Sequence, residues 1–420
     1  QISGATGTGK TLLMEQIIYG DIARGHGAMI IDPKGDREFY DRLKKFCKSI
    51  GREKDLHFLS ASWPDESVRW NPCRLGNSSE LQSKWFRSGV YREPFYATAC
   101  ELALLEAFNA LLIGESDGFT LSDLVRQLEV QSKASKNQNV EGLYNELKNF
   151  AFGEWGPILC AAPALRGQQA NREVTLLEIT QKNEILFVDL PTESKAIQSA
   201  RVGKLLLQEI MLISGLRKHY SELKSKSPFS IFVDEFDAFA TENFVTFQNK
   251  GRSSEFMIHI AHQTLSDLDR ISPTFKGQIM GNCNVRYIFR QDFPDDAEMW
   301  SRFLGTKSVV KKTFQTKDGF WTGSSSNRET QEFVIHPDRI KNMGTGQCIF
   351  SVKTDSILKE LKIPFPLKLP KRKAGRLLRG ETKASPAPDF NQATSELGGI
   401  LEEARKSKTV IGKRGNNGYN

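Results

Sequence analysis

The sequence predicts an α/β nucleotide-binding fold with a mainly parallel sheet, interrupted once by an all-α insertion. Three observations carry this. A glycine-rich loop of phosphate-binding type opens the chain, and apolar runs of strand length alternate with helical stretches. Between two of those runs lie roughly a hundred residues in which the helical period dominates. Strands separated by helices imply crossover connections, which cover both faces of a parallel sheet.

The loop comes first. Gly4, Ala5, Thr6, Gly7, Thr8, Gly9, Lys10 and Thr11 fit G-x-x-x-x-G-K-[ST]. Such a loop turns successive backbone N–H groups toward a phosphate, and its glycines let the backbone come close. Lys10 is expected to reach the β- and γ-phosphates of ATP, and the Thr11 hydroxyl to coordinate Mg²⁺. Leu12, Leu13, Ile17 and Ile18 follow at roughly helical spacing, so a helix N-terminus and its dipole point at the anion. A loop of this kind normally follows a buried strand. Only Gln1, Ile2 and Ser3 precede Gly4, too few for one, and the chain therefore reads as a fragment of a longer protein.

"GAMII" at 27–31 reads as a buried strand, closed by the turn "DPKGD", and "VRWNP" at 68–72 ends this first segment. Residues 75–180 read as the all-α insertion. Leu102, Leu105, Phe108 and Leu112 form one stripe there, and Thr120 with Asp123 resembles a capping box with Asp in place of Glu. Strands resume at "EILFVDLP" (184–191), and a helix from about Ala196 to Tyr220 follows. "FSIFVDEFDAF" (229–239), "FMIHIAHQT" (256–264), "VRYIFRQ" (285–291) and "GQCIFSVK" (346–353) complete the set. The expected divisions are 1–74 and 181–367 for the nucleotide-binding domain, 75–180 for the insertion and 368–420 for a tail.

Candidate chemistry sits at strand ends. "IFVDE" is an apolar strand ending in two acids: Asp234 to hold Mg²⁺, Glu235 to act as general base on the attacking water. Gln263 closes the next strand, where a neutral amide can register loss of the γ-phosphate; His262 beside it is read as packing or facing solvent. Arg252, in the connection between those two strands, suits stabilisation of a transferring phosphoryl group from a neighbouring subunit, or a plain surface position. Asp32, Lys34 and Asp36 lie near the nucleotide edge. Arg286 and Arg290 alternate on another strand, placed to touch phosphate or neutralise buried acids. "KKTFQTKDGFW" (311–321) interleaves Lys311, Lys312 and Lys317 with Phe314, Phe320 and Trp321. It reads as a hairpin with a buried aromatic face, or as a loop that stacks nucleic-acid bases.

Composition bounds the rest. Hydrophobic content of 39% and charge of 26% are those of a globular protein, not of a disordered chain. Six scattered cysteines without a C-x-x-C pair argue against a zinc site or disulfide framework and fit a reducing compartment. No apolar run of about twenty residues stands out, so the piece is expected to be soluble. The net charge is +8, of which the twelve Lys/Arg and five Asp/Glu from Lys368 to Asn420 supply +7. That basic, aromatic-poor tail is expected to be largely disordered. It is a candidate contact for nucleic acid or anionic lipid, or a solvated linker.

The order of "GATGTGKT", "IIDPKGD", "RWNP", the insertion, "LFVDLP", "IFVDEF", "KGR…AHQ" and "FRQDFPDDAEMWSRFLG" resembles the type IV coupling proteins of bacterial conjugation and type IV secretion, the TraD/TraG-type ATPases. The likeness covers roughly residues 1–355. It implies a RecA-like P-loop motor with an all-α insertion and an N-terminal membrane anchor outside this piece. It also implies a ring-shaped hexamer at the inner membrane, with the motor on the cytoplasmic side. Such a motor links relaxase-bound DNA to the secretion channel and uses ATP and Mg²⁺ to move the single strand, independent of base sequence. Arg252 matches the family's inter-subunit arginine, and Lys10, Thr11, Asp234, Glu235 and Gln263 take the roles given above. Two other readings stand beside it. One is a related hexameric motor of chromosome segregation or DNA processing; the other is a cargo receptor that uses nucleotide only to assemble.

Overall fold

The computed structural model describes residues 1–91, 93–114, 119–135, 138–160, 172–225, 227–317 and 320–364. The tail at 368–420 lies outside them. In chain order, β1 (Ile2–Ser3) leads through the glycine loop into α1 (Lys10–Ala23). β2 (Gly27–Asp32), α2 (Arg37–Ser49), β3 (Leu56–Ser60) and β4 (Arg69–Trp70) follow. Four helices come next: α3 (Ser78–Ser88), α4 (Pro94–Gly114), α5 (Leu121–Ser135) and α6 (Gln138–Phe152). Then come β5 (Glu173–Val174), α7 (Leu176–Lys182), β6 (Ile185–Asp189) and the long α8 (Thr192–His219). β7 (Phe229–Val233), α9 (Phe244–Lys250), β8 (Phe256–His262), α10 (Leu265–Asp269), α11 (Phe275–Asn282) and β9 (Val285–Ile288) follow. The described chain ends with α12 (Pro294–Leu304), the hairpin β10 (Thr306–Lys317) and β11 (Phe320–Phe333), α13 (Pro337–Lys341), β12 (Gln347–Val352) and β13 (Ile357–Lys362).

Contacts group these elements into two units: Gln1–Gln16 with the described part of Cys283–Asn420, and Ile17–Asn282. In the first unit the strand order is β13-β12-β9-β1. β1 runs parallel to β9, with Ile2 beside Tyr287 and Ser3 beside Ile288. Three residues before the loop were read as too few for a strand, yet Gln1 and Ser3 carbonyls accept from Tyr287 and Phe289 at 2.9 and 2.8 Å. A strand stub suffices when its neighbour is long enough to hold it. β12 and β13 add antiparallel strands. β13 escaped the sequence reading because Lys359, Glu360 and Lys362 break its apolar run; edge strands carry such charges. The hairpin pairs Thr306 with Phe333 through to Lys317 with Phe320. The side chains of Phe314, Lys317, Phe320 and Trp321 lie outside the described residues, and Lys311 is ion-paired to Glu332 at 2.7 Å.

The second unit holds five parallel strands in the order β8-β7-β2-β6-β3. Every residue of β2, β6 and β7 is buried. Strands covered on both faces read as continuous apolar runs, which is how the sequence showed them. β3 was missed: His57 interrupts its apolar run and bonds to Glu184 at 2.7 Å. α2 follows from its own sequence. Asp36 caps it by accepting from the Phe39 N–H at 3.0 Å, and Phe39, Leu43 and Phe46 bury one stripe.

Residues 75–180 hold α3 to α6, the two-residue β5, which pairs with β4, and the first part of α7. The stripe named on α4 is corrected. Leu104, Ala107, Phe108 and Leu111 are buried, whereas Leu102 and Leu112 are exposed. α4 is apolar nearly all round, so period alone does not choose its face. α4 also has the length and composition of a membrane-crossing helix, a run passed over in the sequence. It carries Glu101 and Glu106 and packs on α3, α5 and α6. At the start of α5 the Asp123 carboxylate accepts from the Thr120 N–H and hydroxyl at 2.9 and 2.8 Å, half of the expected box.

Candidate functional site

In the first unit the glycine loop crosses the end of β9 so closely that a side chain on Gly4 would not fit. A Cβ there would sit 2.6 Å from the Phe289 Cβ. Gly7 adopts φ +74°, a left-handed turn that favours glycine. The loop is tied down at both ends: the Ala5 N–H donates to the Arg290 carbonyl at 2.9 Å, and the Gly346 N–H to the Thr8 carbonyl at 2.8 Å. Thr8 Oγ1 donates to the Ala5 carbonyl at 2.7 Å. Lys10 opens α1, is buried, and curls back so that Nζ donates to the Gly4 and Ala5 carbonyls at 2.5 and 3.0 Å. The loop thus holds an ammonium over its own backbone at a helix N-terminus, with Thr11 one position on.

In the second unit the chemistry gathers at the carboxyl ends of adjacent parallel strands, where open α/β sheets bind ligands. β7 delivers Asp234, buried, with its Oδ1 accepting from the Glu235 N–H at 3.0 Å. Glu235 takes a left-handed backbone, φ +43°, which bends the chain sharply after the strand. β8 sets Gln263 beside it, with Nε2 3.4 Å from Glu235 Oε1. His262 is fully buried, its Nδ1 3.0 Å from the Thr264 carbonyl, so it packs. Arg252 lies in the 3-10 turn Gly251–Ser254 that precedes β8; its side chain is outside the described residues.

The turn after β2 joins this edge. Lys34 Nζ donates to Asp234 Oδ2 at 2.8 Å. Burial opposes the Lys34 charge, yet the Asp234 and Asp32 carboxylates outweigh it and hold its pKa above the usual lysine range. Asp32 accepts from the Asp36 N–H at 2.8 Å. Burial, reinforced by the Asp234 charge, pushes the Asp32 carboxyl up to about 6 against the pull of its two backbone N–H groups. Asp189, which the sequence reading passed over, pairs in register with Asp32, and Ser60 Oγ donates to its Oδ2 at 2.6 Å. The signal was present: "LFVD" ends as β2 and β7 do, and the three aspartates line one edge of the sheet. Arg286 and Arg290 do not share a face. Arg286 is buried over the Phe303 ring at 4.7 Å, while Arg290 lies beyond β9 and pairs with Asp292 at 2.8 Å.

The family model described as "TraM recognition site of TraD and TraG" matches residues 228–345. The type 4 coupling protein DotL of Legionella pneumophila is 23% identical over 411 residues, covering 79% of this chain and 52% of DotL. The chain thus spans about half the length of that relative. The solved conjugative coupling protein TrwB, lacking its first 70 residues, superposes with a TM-score of 0.62 at 18% identity, over 89% of this chain and 86% of that one. A TrwB complex with ADP and Mg²⁺ scores 0.61 at 16% identity, covering 88% of this chain and 84% of TrwB. VirB4 of Thermoanaerobacter pseudethanolicus scores 0.57 at 13% identity, over 87% and 89%. The fold is RecA-like, shared with these solved structures, and the chain is similar to type IV coupling proteins in the family match at residues 228–345 and in its likeness to DotL.

Proposed function

We propose that this chain is the ATP-hydrolysing motor of a coupling protein that passes single-stranded DNA, delivered by a relaxase, to a type IV secretion channel. The observation that carries the reading is the adjacency of Asp234, Glu235 and Gln263 at the ends of β7 and β8. A metal-binding carboxylate, a base and a neutral sensor are the parts that phosphoryl transfer to water requires. Lys10 contacts the β- and γ-phosphates. Thr11 and Asp234 hold Mg²⁺, and the fit is supported by Asp234 Oδ2, a buried hard oxygen that already engages a cation. Bound there, Mg²⁺ neutralises charge on the β- and γ-oxygens. Glu235 takes a proton from the attacking water, and Gln263 passes the loss of the γ-phosphate to β8 and the segments it joins.

The motor acts as a homo-hexamer in which Arg252 serves the neighbouring subunit's ATP. It is held at the cytoplasmic face of the inner membrane through an anchor outside these residues. DNA is gripped by its backbone, since a conveyor must not discriminate sequence. The domain divisions belong to the same proposal: 1–74 and 181–367 as the motor, 75–180 as an inserted helical domain, and the basic 368–420 as a tail.

The test is Lys10→Ala. Removing the ammonium deletes charge-assisted hydrogen bonds to phosphate, each worth about 1.5–3 kcal/mol. ATP affinity falls at least tenfold and hydrolysis drops to background. A Lys10→Ala protein that binds and hydrolyses ATP like wild type contradicts the reading.

A further inference from the structure

The Asp-Pro-Lys-Gly-Asp turn is fastened on every side. The Asp32 carbonyl accepts from the Leu190 N–H at 2.9 Å, and the Pro33 carbonyl from the Thr192 N–H and hydroxyl at 2.9 and 3.1 Å. Asp32 Oδ2 accepts from Asp36, and Asp36 in turn caps α2. Gly35 sits at φ +67°, where a Cβ would meet Pro191 Cβ at 3.2 Å and Asp189 Oδ1 at 3.3 Å. A turn fixed so firmly aims one side chain, Lys34, at Asp234, two hundred residues away in the chain.

The two ends of that ion pair differ. The Asp234 side chain is 6% exposed and the Lys34 side chain 41%. If the pair opens, the ammonium returns to water at little cost, on a long flexible stem. The carboxylate has no such recourse and must keep a cation. A divalent ion brought to Asp234 meets a positive charge already in place.

We propose that Lys34 is a resident counter-ion that shares Asp234 with Mg²⁺. It neutralises the buried carboxylate until Mg²⁺ arrives, then yields Oδ2 and returns toward solvent. Lys34 therefore sets the Mg²⁺ concentration at which the site loads. The inference rests on the reading that Asp234 holds the nucleotide's Mg²⁺.

The experiment titrates MgCl₂ into protein and a fluorescent ATP analogue held below saturation, and reads binding rather than hydrolysis. In wild type, binding rises with Mg²⁺. In Lys34→Met the competitor is gone, and the half-saturating Mg²⁺ falls at least threefold. Lys34→Arg, which keeps the charge, stays within twofold of wild type. A Lys34→Met half-point that is unchanged or higher overturns the proposal, and makes Lys34 a fixed support of the site. Analogue binding by wild type that is absent, or indifferent to Mg²⁺, instead defeats the nucleotide reading beneath it. If Lys34→Met does not fold, the wild type still decides. In a crystal structure with Mg²⁺ and a non-hydrolysable ATP analogue, Lys34 Nζ lies beyond hydrogen-bonding distance of Asp234. Retention of the contact with Mg²⁺ bound refutes the exchange.

Discussion

Glu235→Gln binds ATP normally and turns it over a hundredfold to ten-thousandfold more slowly, the usual span for loss of a general base. The amide has the size of the carboxylate but cannot take a proton from water. Glu235 holds a left-handed backbone at φ +43°, and glutamine meets the same steric cost there, so the turn after β7 keeps its shape. The contact with Gln263 also survives, because the new side chain still offers an oxygen to Nε2. Affinity measured with a fluorescent ATP analogue and turnover measured by phosphate release therefore separate. Wild-type turnover from Glu235→Gln removes the residue from the role of base.

Arg252→Ala costs about a thousandfold to a hundred-thousandfold in turnover if the guanidinium meets charge on the transferring phosphoryl group. Its backbone place, in the 3-10 turn leading into β8, is equally compatible with a surface arginine. In the proposed ring it acts across subunits. An isolated subunit is then a poor ATPase, and activity climbs steeply with protein concentration. Mixing Arg252→Ala with Lys10→Ala, each inactive alone, creates some interfaces that join an intact Lys10 to an intact Arg252. Phosphate release recovers in the mixture where the ring tolerates silent neighbours. A verified monomer that hydrolyses ATP at the assembled rate, and loses it on Arg252→Ala, places the arginine in cis.

What the sequence disclosed follows a physical pattern. β2, β6 and β7 are buried throughout, so apolar residues dominate them up to the strand-end acids, and the runs were plain. The glycine loop was plain because phosphate contact needs backbone at fixed spacing, and Gly4 has no room for a side chain. β1, β3 and β13 were hidden. The first is a stub held by its neighbour's hydrogen bonds, and the others carry polar residues that dilute the apolar signal. The buried face of α4 was hidden for the opposite reason, an excess of apolar residues. At the site, each strand-end acid could be proposed singly. The pairing of Lys34 with Asp234 and the register of Asp32 with Asp189 come from strand order, which no local spacing encodes.

If ATP hydrolysis drives DNA movement, DNA must stimulate the ATPase. Steady-state ATPase is followed at protein concentrations that permit assembly, with and without single-stranded DNA of several unrelated sequences. The rate rises at least several-fold with every sequence, and the rise weakens as salt is raised because lysines and arginines compete with counterions for the phosphates. An ATPase rate that is the same with and without DNA, across the range of concentration and salt, contradicts that coupling.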